Sequence, residues 1–516
     1  MNLNLMFIVF AIVMAVIQWI SAICILTHGS TSDIIPMESV GDFKYHKLIP
    51  DLKQEIQMRQ LHNQETHHLK SQCAPDITTT KLATTLVSQT TLDRLLIMQE
   101  TCRRWSSPIV MAVYITPQEL SNKWNSILKQ YSEQCNHMIL IPYVARDEDE
   151  RSDAYPINVL RNMALDEVKT THVFMIDADF IPSVDLDEGI EKSIRIVMEQ
   201  DKLEEQREEE IKVEKNLLVA KKIYGMKQEG RQMRDSEDVN LMKFKGKYLH
   251  ALVVPAYERK VKSLPCQDFE ECLKLTKQNP EFMPRSMQSL SQCVNAKPTP
   301  KVQEGNMTAT DVLNQSKCIV FHSDYYIDGH GDTKSEEWLN TMNEEQVRTI
   351  PCISDGYEPY IVIPWCPSEH INHDALQPQQ AIEVVQVHWA PLSPYYDERF
   401  HGYGKNKIQQ ILQLQAKGYQ FSVIPALGFL THHPHPMSIT KHRWKLSVDK
   451  GDNGLMPSME ILYTQFEAEL KKEYEGKVKL KTNRCIKPKS YKHFIIAFFI
   501  VIGGILFLSR ITRRGT

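Results

Sequence analysis

Between Lys81 and Asp179 short apolar runs alternate with helical stretches, and this alternation limits the fold more than any other feature of the chain. Lys81-Leu-Ala-Thr-Thr-Leu-Val-Ser88 reads as a first strand, Leu92 to Trp105 as a helix, Pro108 to Ile115 as a second strand and Gln118 to Gln134 as a helix. Met138 to Val144 and Val173 to Ile176 follow as strands, with a helix over Tyr155 to Val168 between them. Strands separated by helices at this spacing predict parallel βαβ units and a doubly wound α/β sheet. The last run, Thr171-His-Val-Phe-Met-Ile-Asp177-Ala-Asp179, is β-branched and aromatic, as a buried central strand should be, and it ends in two carboxylates. Ligands of open α/β sheets bind just past the carboxyl ends of the strands. Asp177 and Asp179, placed there, offer hard oxygen ligands to Mn2+ or Mg2+, and such an ion neutralises a departing diphosphate. A bare Asp-x-Asp is more often an acidic turn after a strand, so its surroundings must decide.

At 516 residues the chain has room for two or three domains. A formal charge of −4 gives no basic field for nucleic acid. Both ends are apolar. Leu5 to Leu26 is 22 residues without a charge, and a bilayer needs about 20. Residues 1–26 are therefore expected to be an uncleaved signal-anchor; a cleaved signal peptide is the alternative, since Ser21 and Ala22 are small. Phe494 to Leu508 is a second apolar run of 15 residues, flanked by Lys492, Arg510, Arg513 and Arg514, and suits a short C-terminal transmembrane segment with snorkelling basic ends. Residues 27–80 are polar and read as a stem, 81–475 as the folded domain. Cysteines 73, 102, 135, 266, 272, 293, 318, 352, 366 and 485 lie between the apolar ends, an even number suited to disulfides, and none has the Cys-x-x-Cys spacing of zinc modules. Asn306-Met-Thr308 and Asn314-Gln-Ser316 are N-glycosylation acceptors. These features predict a membrane-anchored protein of the secretory pathway with its folded domain in the Golgi or ER lumen.

Two stretches interrupt the domain. Residues from about 199 to 240 are dense in both charges and read as a solvated helix or a flexible insertion. Residues from about 260 to 320 hold clustered cysteines and both sequons, and read as a disulfide-pinned excursion. Around them Tyr248 to Tyr257, Gln386 to Ala390 and Tyr419 to Pro425 have strand character, and Asn406 to Ala416 and Leu462 to Tyr474 are amphipathic helices.

Two further groups of residues can carry chemistry. In Gly428-Phe-Leu-Thr-His432-His433-Pro-His435, three imidazoles follow an apolar strand and are candidate ligands for a divalent ion; surface or packing roles are the alternative. In Tyr395-Tyr-Asp397-Glu398-Arg-Phe-His-Gly-Tyr-Gly404, two adjacent carboxylates precede glycines, and either can deprotonate a hydroxyl. The plainer reading makes Asp397 a helix cap.

Tyr155-Pro-Ile-Asn158-Val-Leu-Arg161-Asn162-Met-Ala-Leu, followed by Asp177-Ala-Asp179-Phe-Ile-Pro-Ser, resembles the nucleotide-sugar core of glycosyltransferase family 49. That family holds the LARGE-type xylosyl/glucuronyltransferases and the β-1,4-glucuronyltransferase once described as an N-acetyllactosaminide β-1,3-N-acetylglucosaminyltransferase. Ala251-Leu-Val-Val-Pro-Ala-Tyr257-Glu258, Tyr396-Asp-Glu-Arg-Phe400, Gly404-Lys-Asn406-Lys, Gly428-Phe-Leu-Thr-His432 and Ile461-Leu-Tyr-Thr-Gln-Phe466 continue the likeness in order. The resemblance implies a GT-A type domain and a metal-dependent, inverting transfer of glucuronic acid, xylose or N-acetylglucosamine from a UDP-sugar to a glycan acceptor. It implies that Asp177 and Asp179 hold Mn2+ and UDP, with Asp179 the direct ligand ahead of Asp177, and that His432 is a late metal ligand. It puts Arg161 and Asn162 on the helix facing the nucleotide, and Asp397 or Glu398 where a base activates the acceptor. The charged insertion and the segment Pro367 to Val385 depart from the family pattern, as does the tract His322 to His330. An aspartate-nucleophile phosphatase is a rival, disfavoured by Ile181 where Thr or Val is expected. A catalytically silent, membrane-anchored surface protein retaining the fold is the other.

Overall fold

The expected alternation forms, beginning with β1 (Thr84–Thr91), which leads through a 3-10 turn (Leu92–Ile97) into α1 (Met98–Arg104). β2 (Ile109–Ile115) is followed by a helical segment that Thr116 opens with a capping box to Glu119 and that ends as α2 (Asn125–Gln134). β3 (Met138–Val144), α3 (Ile157–Asp166), β4 (His172–Met175) and β5 (Phe180–Pro182) complete this half. Then come α4 (Leu186–Gln228), β6 (His250–Val254), β7 (Ala256–Lys260), α5 (Phe269–Gln278), α6 (Met287–Val294), β8 (Lys317–Val320), α7 (Ile327–His330) and α8 (Ser335–Leu339). The chain continues with β9 (Arg348–Thr349), β10 (Cys352–Ile353), β11 (Tyr360–Pro364), α9 (Ile408–Ala416), β12 (Gln420–Val423), β13 (Leu430–His432), α10 (Leu455–Tyr474) and β14 (Asn483–Arg484). This computed structural model describes residues 82–145, 155–228, 249–260, 266, 269–279, 282–297, 316–324, 326–341, 345–365, 393–402, 404–435 and 455–485.

The main sheet has eight strands in the order β3-β2-β1-β4-β11-β6-β12-β9. β3, β2, β1 and β4 are parallel, as the βαβ pattern predicts. β11 runs antiparallel between β4 and β6, and β9 antiparallel against β12, so the whole is a mixed sheet. The chain steps outward from β1 to β3 and then crosses back to place β4 on the other side of β1. At such a reversal the loops diverge and leave a crevice at the strands' carboxyl ends. β4 is buried at all four positions and delivers Asp177 and Asp179 there.

Alternate side chains of these strands feed opposite faces of the sheet. Val87, Val110 and Val173 pack with Leu160 and Ala164 of α3, while Leu86, Met111 and Phe174 pack with Trp105, Ile190 and Ile194. Each buried Val, Leu, Ile, Met or Phe among them contributes roughly 1.5–3 kcal/mol by leaving water. A second sheet, β5-β13-β7-β8, starts where the first stops. The stretch Tyr248 to Tyr257 is not one strand. Pro255, which has no N–H to give a ladder, separates β6 in the main sheet from β7 in the second.

The charged stretch after residue 199 continues α4, a helix of 43 residues that buries Leu186, Ile190, Ile194, Val197 and Met198 in its first turns. Four disulfides are present among the described residues: Cys102–Cys135, Cys266–Cys272, Cys293–Cys318 and Cys352–Cys485. The two apolar ends, the stem, Cys73, Cys366, Asn306, Asn314 and the stretches Pro367 to Val385 and Gln386 to Ala390 lie outside the described residues. Among the described residues no helix is long and apolar enough to cross a membrane.

Candidate active site

Strand pairing places the site before any side chain contributes. Ile176 donates its N–H to Val87 at 3.0 Å, extending the β1–β4 ladder up to Asp177. The chain then turns, with the Phe180 N–H on the Asp177 carbonyl, and enters β5. β5 pairs antiparallel with β13 so that Phe180 faces His432, and the His433 N–H donates to the Asp179 carbonyl at 2.7 Å. This register carries two imidazoles to one carboxylate. Asp179 Oδ2 lies 3.0 Å from His435 Nε2 and 3.7 Å from His432 Nε2. The ligand atoms of Asp179, His432 and His435 all fall within 4.8 Å of one another. Burial raises the Asp179 pKa, but hydrogen bonds from the two imidazoles outweigh it and hold the carboxyl well below the usual range.

One carboxylate oxygen and two imidazole nitrogens form a mixed donor set that suits Mn2+, whereas Mg2+ favours oxygen alone. His433, the third imidazole of the run, is turned away: it is buried and shares a hydrogen bond with Thr276 Oγ1 at 3.0 Å. The other ligand-like group among the described residues, Cys102, Cys135 and His137, is closed off because its cysteines are bonded to each other.

Asp177 stands outside the triad. Its Oδ1 accepts from Arg161 Nη2 at 3.0 Å; its Oδ2 accepts from Tyr360 Oη at 2.9 Å and Lys407 Nζ at 3.0 Å. Burial raises the Asp177 pKa, and Lys407 with Arg161 more than reverse it. Arg161 is itself held by Asn158 and Asn406, each at 3.1 Å, and lies over the Tyr396 ring. On the other side Arg94, just after β1, is 3.6 Å from Asp179.

The remaining expected residues divide. Arg161 reaches the Asp-x-Asp turn, but Asn162 is spent on the neighbouring loop: its Nδ2 donates to the Tyr396 carbonyl and to Glu398 Oε1, each at 2.9 Å, and its Oδ1 accepts from the Tyr396 N–H. Asp397 is gripped by Arg399 at 2.6 Å, and that guanidinium also binds Glu469 of α10 at 2.7 Å. Glu398 is exposed.

Sequence reading passed over Lys407, Tyr360, Glu358 and Arg94. Lys407 ends the quoted block Gly404-Lys-Asn-Lys407, yet a lysine before a helix carries no signal of its own. Tyr360 opens β11, and only that strand's antiparallel direction brings its first residue to the carboxyl ends of β4 and β6. Lys407 Nζ lies 4.2 Å above the Tyr360 ring and 4.0 Å from Glu358. His330, from the divergent tract, stacks on Tyr360 with centroids 5.9 Å apart. Burial, with Lys407 adding to it, pushes the His330 pKa down to about 3, so its ring is neutral.

The family profile described as "Glycosyl-transferase for dystroglycan" matches residues 125–219 and 219–475. The xylosyl- and glucuronyltransferase LARGE2 of Rattus norvegicus is 24% identical over 395 residues, covering 76% of this chain and 39% of that protein. LARGE1 of Mus musculus is 22% identical over 366 residues, covering 70% and 32%. The chain thus spans well under half the length of these relatives. Among solved structures, Staphylococcus aureus TarS 1–349 overlaps with a TM-score of 0.17 at 12% identity, over 22% of this chain and 32% of that one. That overlap is too slight to bear on the fold.

Proposed function

The chain belongs to the family described as glycosyl-transferase for dystroglycan, and from that premise we propose that it is a GT-A type enzyme moving glucuronic acid, xylose or N-acetylglucosamine from a UDP donor to a hydroxyl of a glycoprotein glycan, with inversion. Family membership makes it a glycosyltransferase. The observation that carries the rest is the Asp179, His432 and His435 triad at the point where the parallel strands reverse, beside Asp177 with its two cations.

Asp179, His432 and His435 would hold a Mn2+ ion, which would supply the positive charge that a departing diphosphate requires. The protein's own groups do the remaining work. Arg94 beside Asp179, and Arg161 and Lys407 on Asp177, surround the turn with guanidinium and ammonium donors suited to an anionic donor substrate. Their geometry is set in advance by the β5–β13 register and by Asn158 and Asn406, so little reorganisation accompanies binding. Inversion is a single displacement: the acceptor oxygen attacks the anomeric carbon opposite the diphosphate, and a carboxylate receives its proton. Asp397 and Glu398 are the residues the family resemblance offers for that step. The four disulfides suit an oxidising lumen, and the runs at 5–26 and 494–508 suit Golgi or ER membrane anchoring.

The test is turnover of UDP-glucuronic acid, UDP-xylose and UDP-N-acetylglucosamine by the full-length protein in detergent, before and after EDTA and again with Mn2+. One donor should release UDP only with metal present. Failure to bind or turn over any UDP-sugar in Mn2+ would reject the proposal.

A further inference from the structure

Resting on that reading, we propose that Glu358, rather than Asp397 or Glu398, is the general base that takes the acceptor hydroxyl's proton. The backbone places it there. β11 runs antiparallel to β4, so its entry lies at the crevice end of the sheet, and Tyr360 at that entry already touches Asp177. Two residues before that strand, the Glu358 carboxylate lies 4.0 Å from Lys407 Nζ, the same ammonium that binds Asp177. Its own N–H is tied to the Gly329 carbonyl at 2.9 Å, which fixes the loop against the divergent tract. The carboxylate is partly open, with its side chain 26% exposed, so an acceptor can reach it.

The three carboxylates differ in what occupies them. Asp397 accepts from the Arg399 backbone N–H and from the Arg399 Nε and Nη2. Glu398 is exposed and accepts from Asn162. Lys407, by contrast, sits at 3.0 Å from Asp177 and only 4.0 Å from Glu358, so its ammonium is committed to the former. Burial raises the Glu358 pKa; Lys407, Arg161 and Lys405 oppose this, and Asp177 reinforces it. Beside it the Tyr360 phenol is pushed up by burial and by Asp177, and His330, stacked on that ring, is neutral. A carboxylate whose pKa is raised is a stronger base than an ordinary one.

The step balances. The acceptor oxygen forms its bond to the anomeric carbon as the bond from that carbon to the diphosphate oxygen breaks, its electron pair leaving with UDP, and the hydroxyl proton passes to Glu358 and then to water. In Glu358→Gln of the full-length protein, UDP release from whichever of the three donors wild type turns over, with acceptor or with water alone, should fall about 100-fold or more in kcat. Donor KM and UDP affinity should stay within about threefold, and the acid limb of the pH–rate profile should disappear from the residual activity. Glu358→Asp, which keeps the carboxylate, should retain that limb and part of the rate, and it is the deciding variant if the amide fails to fold. A kcat within about fivefold of wild type in Glu358→Gln, or a loss only in donor KM, overturns the assignment. So does the same kcat loss in Glu398→Gln beside an active Glu358→Gln. Wild-type protein that turns over no UDP-sugar sinks the transferase reading itself and this inference with it.

Discussion

Asp177 closes the eight-stranded sheet and is ringed by cations and a phenol, whereas Asp179, two residues further on, opens the four-stranded sheet and faces two imidazoles. The two carboxylates are a single motif in sequence and two environments in space. The difference arises in the backbone: the β4 ladder ends at Ile176, the turn reverses the chain, and only Asp179 lies beside the register that carries β13. Two carboxylates of one motif therefore need not share their partners. Here one faces two imidazoles, and the other holds the arginine of α3 and the lysine before α9.

The sharpest way to break this comparison is to exchange carboxylate for amide at each position. Asp179→Asn removes the only oxygen donor of the triad, and UDP-sugar turnover should fall more than about 100-fold together with Mn2+ affinity, while the melting temperature stays close to wild type. Equal turnover would dissolve the distinction between the two sites. Arg161→Met attacks the other half. Arg161 is buried, so its loss leaves Asp177 with one ionic partner fewer and strips Asn158 and Asn406 of their donor. Breaking a buried pair from one side costs about 3–5 kcal/mol; because the Asp177 side chain is 29% exposed and keeps Lys407, about 2–3 kcal/mol is expected by urea denaturation. Mn2+ affinity should change little. A variant as stable as wild type would mean that Asp177 has no anchoring role.

Much of this was legible in the sequence, and the part that was not has a common cause. Strands β1 to β4 and helix α3 follow from hydrophobic period alone, because β1, β2 and β3 pair in chain order, α3 packs on them, and β4 is an apolar run buried at every position. β6 and β7 form one continuous apolar pattern in sequence, and only tertiary pairing shows that Pro255 divides two sheets. The motif and the late histidines pointed to Asp179 and His432, yet three imidazoles within four residues look equivalent until strand geometry sends His433 into the core. Lys407, Tyr360 and Glu358 carry no local signature, for they become site residues only through the direction of β11 and the packing of the loop before α9.

That histidine run offers a milder cut at the same contrast. His435→Ala should weaken Mn2+ binding by about 10–100-fold with stability unchanged, since its ring serves Asp179. His433→Ala should leave Mn2+ affinity within about threefold but lower stability by about 1–3 kcal/mol, because a buried ring and its bond to Thr276 are lost. Reversed outcomes, read by metal titration and denaturant midpoints, would exchange the roles assigned to the two rings.

The smallest effect tests the strand beneath the two carboxylates. His172 begins β4, is buried against Thr171, and burial pushes its pKa down to about 3, against about 6.5 for an unfolded histidine. The folded state therefore keeps this ring neutral while the unfolded chain protonates it. Between those two values the unfolded state binds more protons, so stability is complete above about pH 6.5 and is lost as pH falls towards 3. One such group accounts for about 2 kcal/mol between pH 7 and pH 5. The depressed carboxyls of Asp177 and Asp179 act in the same direction but only at lower pH, near the ordinary carboxylate range. Urea midpoints from pH 7 to pH 5 should thus decline in wild type and decline less, by about one proton's worth, in His172→Gln. An identical slope in the variant would show that the acid sensitivity belongs to the other buried histidines, His330 and His433, rather than to the strand that carries the motif.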